Sequence, residues 1–437
     1  MPHIMKSICI TFICTALFLT TYAQQHDGIY VDGRTVYDAC NEPVVIKGVN
    51  YSVLDDWNFP ATSEKSSEIA KSGANTVRIM WYIDYGQSSR PAYSLSDLDT
   101  VISRVARLEM IPIIELHDFT CQPDLTALST EIVPWLTQAS VLDLIDKHKK
   151  YLIVNIANEF GHVRYTGNIP AAETAFENAY GAAVLSLRNA GIHVPLMIDG
   201  PDCGTTLSTL VNIGSDLLAA DPDHNLIFST HTYWFGYTGN DSTAMRTELL
   251  AAANSNLPII LGEVATQQDD ASLCQYNLNW RPILRMAEEM QIGWLIWGWY
   301  KDGCPGREMT PTGNFADLTA FGQEIVNSPE FGLLNVAEPS EYLLTGGACV
   351  MGTEEQDEMS MKITFTQDEV VIQPLFQGSL HVMVTDISGR KISGREFAAT
   401  AENIYRLSAS GWSPGVYVVS VISGNRSYSQ RIVKAQP

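Results

Sequence analysis

Eight short apolar runs rich in β-branched residues, each parted from the next by an amphipathic stretch, dominate the chain from Val44 to Tyr300. The first four are "VVIKGVN" (44–50), "NTVRIMW" (75–81), "IPIIELHD" (111–118) and "YLIVNIANE" (151–159). The others are "VPLMIDGP" (194–201), "NLIFSTHTYW" (225–234), "LPIILGEVA" (257–265) and "GWLIWGWY" (293–300). Between them, segments such as "SLSDLDTVISRVARLEM" and "ENAYGAAVLSLRNAG" place apolar residues at helical spacing. Strands that are apolar almost throughout, alternating with helices, require a parallel sheet covered on its faces. Eight such units in a row predict an α/β chain folded as a (β/α)8 TIM barrel. A doubly wound sheet is the competitor, but no strand is followed by a G-x-G-x-x-G or Walker-type loop. The earlier "IYVDGRTVYDACNEP" reads as a β-hairpin plugging the bottom of the barrel.

The flanks have other characters. Lys6 precedes the apolar run Ile8–Leu19, and Ala23 suits a cleavage position, so residues 1–23 read as a secretory signal peptide. Residues 24–335 then read as the barrel domain and 336–361 as a polar, acidic, glycine-containing linker. Residues 362–437 show short alternating strands ("KITFT", "SLHVMVTD", "GVYVVSVIS") and predict a small β-sandwich. The formal charge of −22, from 27 basic and 49 acidic residues, excludes the basic footprint that nucleic acid or an anionic membrane would need. Cys40, Cys121, Cys203, Cys274, Cys304 and Cys349 follow the signal, an even number that permits disulfides without revealing their pairing. No C-x-x-C or H-E-x-x-H occurs, so no metal is expected.

The carboxyl ends of the strands of such a barrel open on one face, where its chemistry sits. Those ends carry Arg78, His117 with Asp118, Asn158 with Glu159, His231 with Tyr233, Glu263, and Trp297 with Trp299. Each alone has a plain explanation: an arginine closing an ion pair, a histidine or indole packed in a core. Two carboxylates, Glu159 and Glu263, ending apolar runs four and seven are harder to dismiss. Such a pair suits glycoside hydrolysis, one group protonating the leaving oxygen while the other attacks the anomeric carbon or activates water. A gap of about 5 Å gives retention and about 6.5–9.5 Å gives inversion, and the sequence does not measure it. Arg78 is placed to hold Glu263 ionised, and burial beside a charge to keep Glu159 protonated. Tyr233 can donate to Glu263, and Asn158 can bind a sugar hydroxyl.

Taken in order, "NTVRIMW", "IIELHD", "IVNIANE", "HTYWFG", "IILGEVA" and "WLIWGW" resemble glycoside hydrolase family 5, above all its bacterial β-mannanase branch, over roughly Gly28 to Gly332. The resemblance implies Glu159 as acid/base and Glu263 as nucleophile, with retention. It implies Arg78, His117, Asn158, His231 and Tyr233 as their support and Trp297 as sugar platform. Trp299, Asp118, Trp81 and Trp234 are further candidates for substrate contact. The chain departs from that branch after the acid/base, where "EFGHVRYTG" lacks a usual aromatic, after His231, and in "CQPDLTALSTEIVPW". Those loops shape the outer subsites and leave the sugar open.

"VTDISGRKISGREF" and "GVYVVSVISGNRSYSQRIVK" are similar to sorting domains read by the type IX secretion system, the alternative being a carbohydrate-binding sandwich. The expectation is therefore a secreted or cell-surface endo-β-1,4-mannanase acting as a monomer on a β-linked polysaccharide. It needs no cofactor, and the type IX machinery is its export partner. An endo-β-1,4-glucanase or xyloglucanase is the rival within the family. A non-catalytic glycan-binding barrel is the rival in kind.

Overall fold

All eight apolar runs become strands of one closed parallel barrel. In chain order these are β4 (Lys47–Tyr51), β5 (Thr76–Trp81), β6 (Ile111–Leu116), β7 (Ile153–Asn155), β8 (Leu196–Asp199), β9 (Leu226–His231), β10 (Ile259–Val264) and β11 (Gly293–Ile296). Parallel pairing of β11 with β4 closes the ring. The computed structural model describes residues 27–86, 89–268, 273–349, 361–366, 369–374, 378–386, 390–399, 404–413, 415–423 and 426–434. The expected signal, 1–23, lies outside them. No helix among the described residues is long and apolar enough to cross a membrane.

Every residue of β5, β6, β9 and β10 is buried, because one face packs on the outer helices and the other fills the barrel. Helix Leu95–Arg107 shows how local sequence sets this shell. Ser94 and Asp97 form a reciprocal capping box at its start, and Leu98, Val101, Ile102 and Val105 form the buried stripe.

Inside the barrel, alternation sorts the layers. Ile111, Ile113, Ile153, Met197, Ile227, Ile260 and Leu295 make an apolar floor. Ile29, Val31, Val36 and Val44 join it from the three-stranded β1 (Tyr30–Asp32), β2 (Thr35–Tyr37) and β3 (Pro43–Val44), the bottom plug. Two residues further along the same strands, the inward positions become Glu115, Asn155, Asp199 and Ser229. The floor therefore gives way to a polar layer at the carboxyl ends.

Residues 336–349, read from sequence as the start of a linker, belong to the first compact unit, which runs to Cys349. Asp38 accepts hydrogen bonds from Ser340 Oγ (2.8 Å) and from the Tyr342 amide (2.9 Å), Leu343 is buried in the floor cluster, and Cys40 is bridged to Cys349. Its acidity and glycines hide these anchors. Residues 350–360 lie outside the described residues. The second unit pairs a three-stranded sheet, β12 (Met361–Thr366), β13 (Glu369–Pro374) and β16 (Tyr405–Ser408), with a four-stranded one. The latter holds β15 (Lys391–Ala399), β14 (Gly378–Asp386), β17 (Gly415–Ser423) and β18 (Arg426–Lys434). Ile363, Val370, Ile372, Leu380, Val382, Leu407, Val419 and Ile432 form a shared core, the small sandwich expected.

Candidate active site

Arg78 stands on β5 at an inward position, fully buried, and uses all five of its N–H donors. Nε donates to Asn155 (2.9 Å), Nη1 to Asn50 and Glu263 (both 3.0 Å), and Nη2 to Asn158 (2.8 Å) and Asp199 (3.1 Å). It is the shared counter-ion of a group of acids, with Glu115 a further 3.8 Å contact. Burial opposes its charge, but Glu115, Asp199 and Glu263 outweigh burial and hold the guanidinium protonated.

Glu263 reaches this network by a break in alternation. The register of β10 against β9 shifts between Leu261 and Glu263, so Gly262 sits at a bulge that re-aims the carboxylate inward. A Cβ at Gly262 would lie 2.1 Å from Ser229 Oγ and 2.9 Å from His231 Nε2, so only glycine fits. Glu263 Oε1 accepts from Arg78, and Oε2 accepts from the Tyr233 hydroxyl at 2.7 Å. Burial, opposed by Arg78 and Tyr233, pushes its carboxyl up to about 7. Burial and the facing Glu263 keep the Tyr233 hydroxyl protonated and able to donate.

Glu159 lies beyond the end of β7 with left-handed backbone (φ 50°). Its amide donates to Asp199 Oδ2 (3.1 Å) and its Oε1 is 2.7 Å from His231 Nδ1. The same Nδ1 is 3.4 Å from Glu263 Oε1. Burial, then Arg78 and His117, push the His231 imidazole well down, so it is neutral and one proton bridges it to Glu159. Gly204 makes room for the ring, since a Cβ there would sit 2.6 Å from Nδ1. One oxygen each of Glu159 and Glu263 and a nitrogen of His231 lie within 4.8 Å of one another. That triangle has the donor types of a metal site, yet Arg78 already donates to the same Glu263 oxygen and repels a second cation there.

His117 contacts Glu115 through Nδ1, and its ring lies against Trp297 at 5.8 Å and 16°. Lost hydration lowers its pKa, but Glu115 overrides this and raises it. Trp297 donates from Nε1 to Asp302, and Arg307, paired with Asp302 at 2.8 Å, lies over both Trp297 and Tyr233. His117, Thr120, Cys121, Asn158, Glu159, Cys203, Thr205, Tyr233, Glu263, Gln268, Trp297 and Arg307 line one cleft. Asn158 spends its oxygen on Arg78 and one amide hydrogen on Thr120 Oγ1 (2.9 Å). The other amide hydrogen remains for a ligand hydroxyl.

Four candidates fall elsewhere. Trp81 is an odd number of residues from Arg78, faces the outer helices and packs edge-on to Tyr93. Trp234 is likewise out of step with His231 and buried, with Nε1 donating to the Thr205 carbonyl. Trp299 shares its step with Trp297, but β11 ends at Ile296, so alternation no longer governs, and the indole is buried, donating to the Gly313 carbonyl. Asp118 accepts from the amides of Ile83 (2.7 Å) and Asp84 (3.0 Å), holding a loop. Conversely, Asn50, Glu115, Asn155, Asp199 and Arg307 escape a reading of strand ends. Asp199 had a signal, a further carboxylate near the close of an apolar run in "VPLMIDGP". Arg307 had none, because it follows the last strand in a loop.

Paired carboxylates across the mouth of a closed parallel barrel define a barrel glycosidase. Comparison narrows the class. The family model described as cellulase (glycosyl hydrolase family 5) matches residues 37–303, more than half of the chain, which therefore belongs to glycosyl hydrolase family 5. The mannan endo-1,4-beta-mannosidase of Salipaludibacillus agaradhaerens is 29% identical over 318 residues, 72% of this chain and 95% of that protein. The enzyme of the same name from Streptomyces lividans is 28% identical over 333 residues, 75% of this chain and 80% of its own length. The solved beta-mannanase of Streptomyces thermolilacinus shares the fold, with a TM-score of 0.62 at 24% identity over 72% of this chain and 99% of that one. Residues 363–435 match the secretion system C-terminal sorting domain, so the protein is secreted or displayed at the cell surface.

Proposed function

We propose that this glycoside hydrolase is a retaining endo-β-1,4-mannanase acting on mannan or glucomannan, with Glu263 as nucleophile and Glu159 as acid/base. The observation that carries the reading is the approach of one oxygen of each carboxylate to within 4.8 Å of the other, which favours the close spacing of direct attack over the roughly 6.5–9.5 Å of inversion. Glu263, oriented by Tyr233 and Arg78, attacks the anomeric carbon while Glu159 gives its proton to the leaving oxygen. Water, deprotonated by the now ionised Glu159, then releases the sugar and restores both groups. Neutral His231 holds Glu159 through its exchangeable proton. Asn158 offers its remaining amide hydrogen to a sugar hydroxyl, and Trp297 supplies a flat apolar face. The choice of mannan follows the curated relatives, both mannan-active by name.

Reducing-sugar release from mannan, glucomannan, carboxymethyl cellulose and xylan, run side by side, tests it. Mannan and glucomannan should be cleaved far faster than the others, with the product first formed in the β configuration by NMR. Preference for carboxymethyl cellulose would replace mannanase by glucanase, and an α product would remove the double displacement.

A further inference from the structure

Glu159 is carried by the loop after β7, and the loops on either side of it are tied to each other. Cys121, after β6, is bridged to Cys203, after β8, so the bond spans the loop that carries the acid. Cys121 Sγ is 3.4 Å from Glu159 Oε2, and both sulfurs and a Glu159 oxygen lie within 4.8 Å of one another. The three loops are also laced by backbone. The Cys121 amide donates to the Glu159 carbonyl (3.2 Å), Gly161 to Gln122 (2.9 Å) and Asp202 to Gly161 (2.8 Å). Cys121, Glu159, Asp202 and Cys203 all have left-handed backbone, with φ of 59°, 50°, 59° and 57°. None is glycine. Such residues persist only where their surroundings over-determine them.

We infer that the Cys121–Cys203 disulfide is a positioning element for proton transfer, holding the Glu159 carboxyl against the leaving oxygen. His231 fixes Oε1, and the disulfide bounds Oε2 with sulfurs that have no proton to donate and accept only weakly. The inference rests on Glu159 being the acid, as proposed above.

The test compares a substrate that needs the acid with one that does not. Cys121→Ala/Cys203→Ala should lose about 10- to 100-fold in kcat on mannan, the scale of a misplaced catalytic group, with KM little changed. On a dinitrophenyl β-mannobioside, whose leaving group departs without a proton, the loss should be at least about tenfold smaller. Cys40→Ala/Cys349→Ala, at the barrel's bottom, should keep the wild-type ratio between the two substrates. Circular dichroism checks folding. Should the alanine pair not fold, Cys121→Ser/Cys203→Ser and brief dithiothreitol treatment of the wild-type chain are read by the same ratio. Equal losses on both substrates, or none, overturn the inference. Glu159→Ala is the reference: if that variant shows no such leaving-group dependence, the acid assignment itself falls.

Discussion

Two buried arginines, Arg78 in the mouth of the barrel and Arg188 near its base, each spend all five N–H donors, and their carboxylate partners behave in opposite ways. Arg188 grips Asp221 with two bonds of 2.9 Å and gives its other donors to the carbonyls of Ile192, Val194 and Asn225. Asp221 also accepts the amides of Asn225 (2.9 Å) and Asp223 (3.1 Å). Burial pulls its pKa upward, but Arg188 and the amides outweigh burial and lower it. Arg78 serves Glu263, Asp199 and Glu115 at once, and burial leaves Glu263 and Asp199 raised. A cation clamped by two bonds on one buried carboxylate, with only the partly exposed Asp223 also near it (3.2 Å from Nε), makes a support. One cation shared among several acids leaves protons to move, which is what the chemistry uses.

The comparison breaks most readily at the carboxylates. Glu263→Ala should lower hydrolysis of mannan by more than about 10³-fold, as expected for a lost nucleophile, whereas Asp221→Ala should leave the rate per folded molecule near wild type. Substrate-release assays normalised to folded protein decide it. At the arginines, Arg78→Lys should cost about 10²-fold in kcat/KM, because a lysine cannot hold Glu263, Asp199 and Asn158 together. Arg188→Lys should instead lower stability by about 3 kcal/mol in urea melts, the lower end for breaking a buried pair. Asp199→Asn, which loosens the Glu159 amide, should reduce kcat by about tenfold with KM little altered.

The smallest effect is in pH. Glu263 must be ionised to attack, so kcat/KM should fall as pH drops through its value of about 7, well above an exposed glutamate. For stability the two carboxylates carry opposite signs. The raised Glu263 contributes stability that is complete below its unfolded pKa of ~4.3 and lost as pH rises through about 7. The lowered Asp221 contributes stability present above its unfolded pKa of ~3.9 and lost as pH falls. Glu263→Gln should therefore lose less melting temperature than wild type between pH 5 and 8, whereas Asp221→Asn should lose less on acidification.

The eight strands were legible because parallel strands buried on both faces leave continuous apolar runs, and Glu159 and Glu263 stood out as charges ending two of them. The parity that places Arg78 inside turns Trp81 outward, and Trp234 is likewise out of step with His231. Glu263 itself defies parity, since the bulge at Gly262 re-aims it. Trp299 lies beyond Ile296, where the strand stops and alternation no longer fixes a face. Disulfide pairing and Arg307 depend on loops that return to the mouth from distant parts of the chain, and no local pattern records such a return.

The Cys40–Cys349 bridge has a reach that its place at the bottom plug conceals. Its partners are 309 residues apart, so every strand of the barrel falls within one covalent ring. Cross-linking so long a loop removes freedom from the denatured chain worth about 5–6 kcal/mol on the chain-entropy account. A cut between residue 349 and the sorting domain at 363–435 would detach that domain and leave the ring whole, so the catalytic unit can shed its export label without forfeiting its resistance to unfolding.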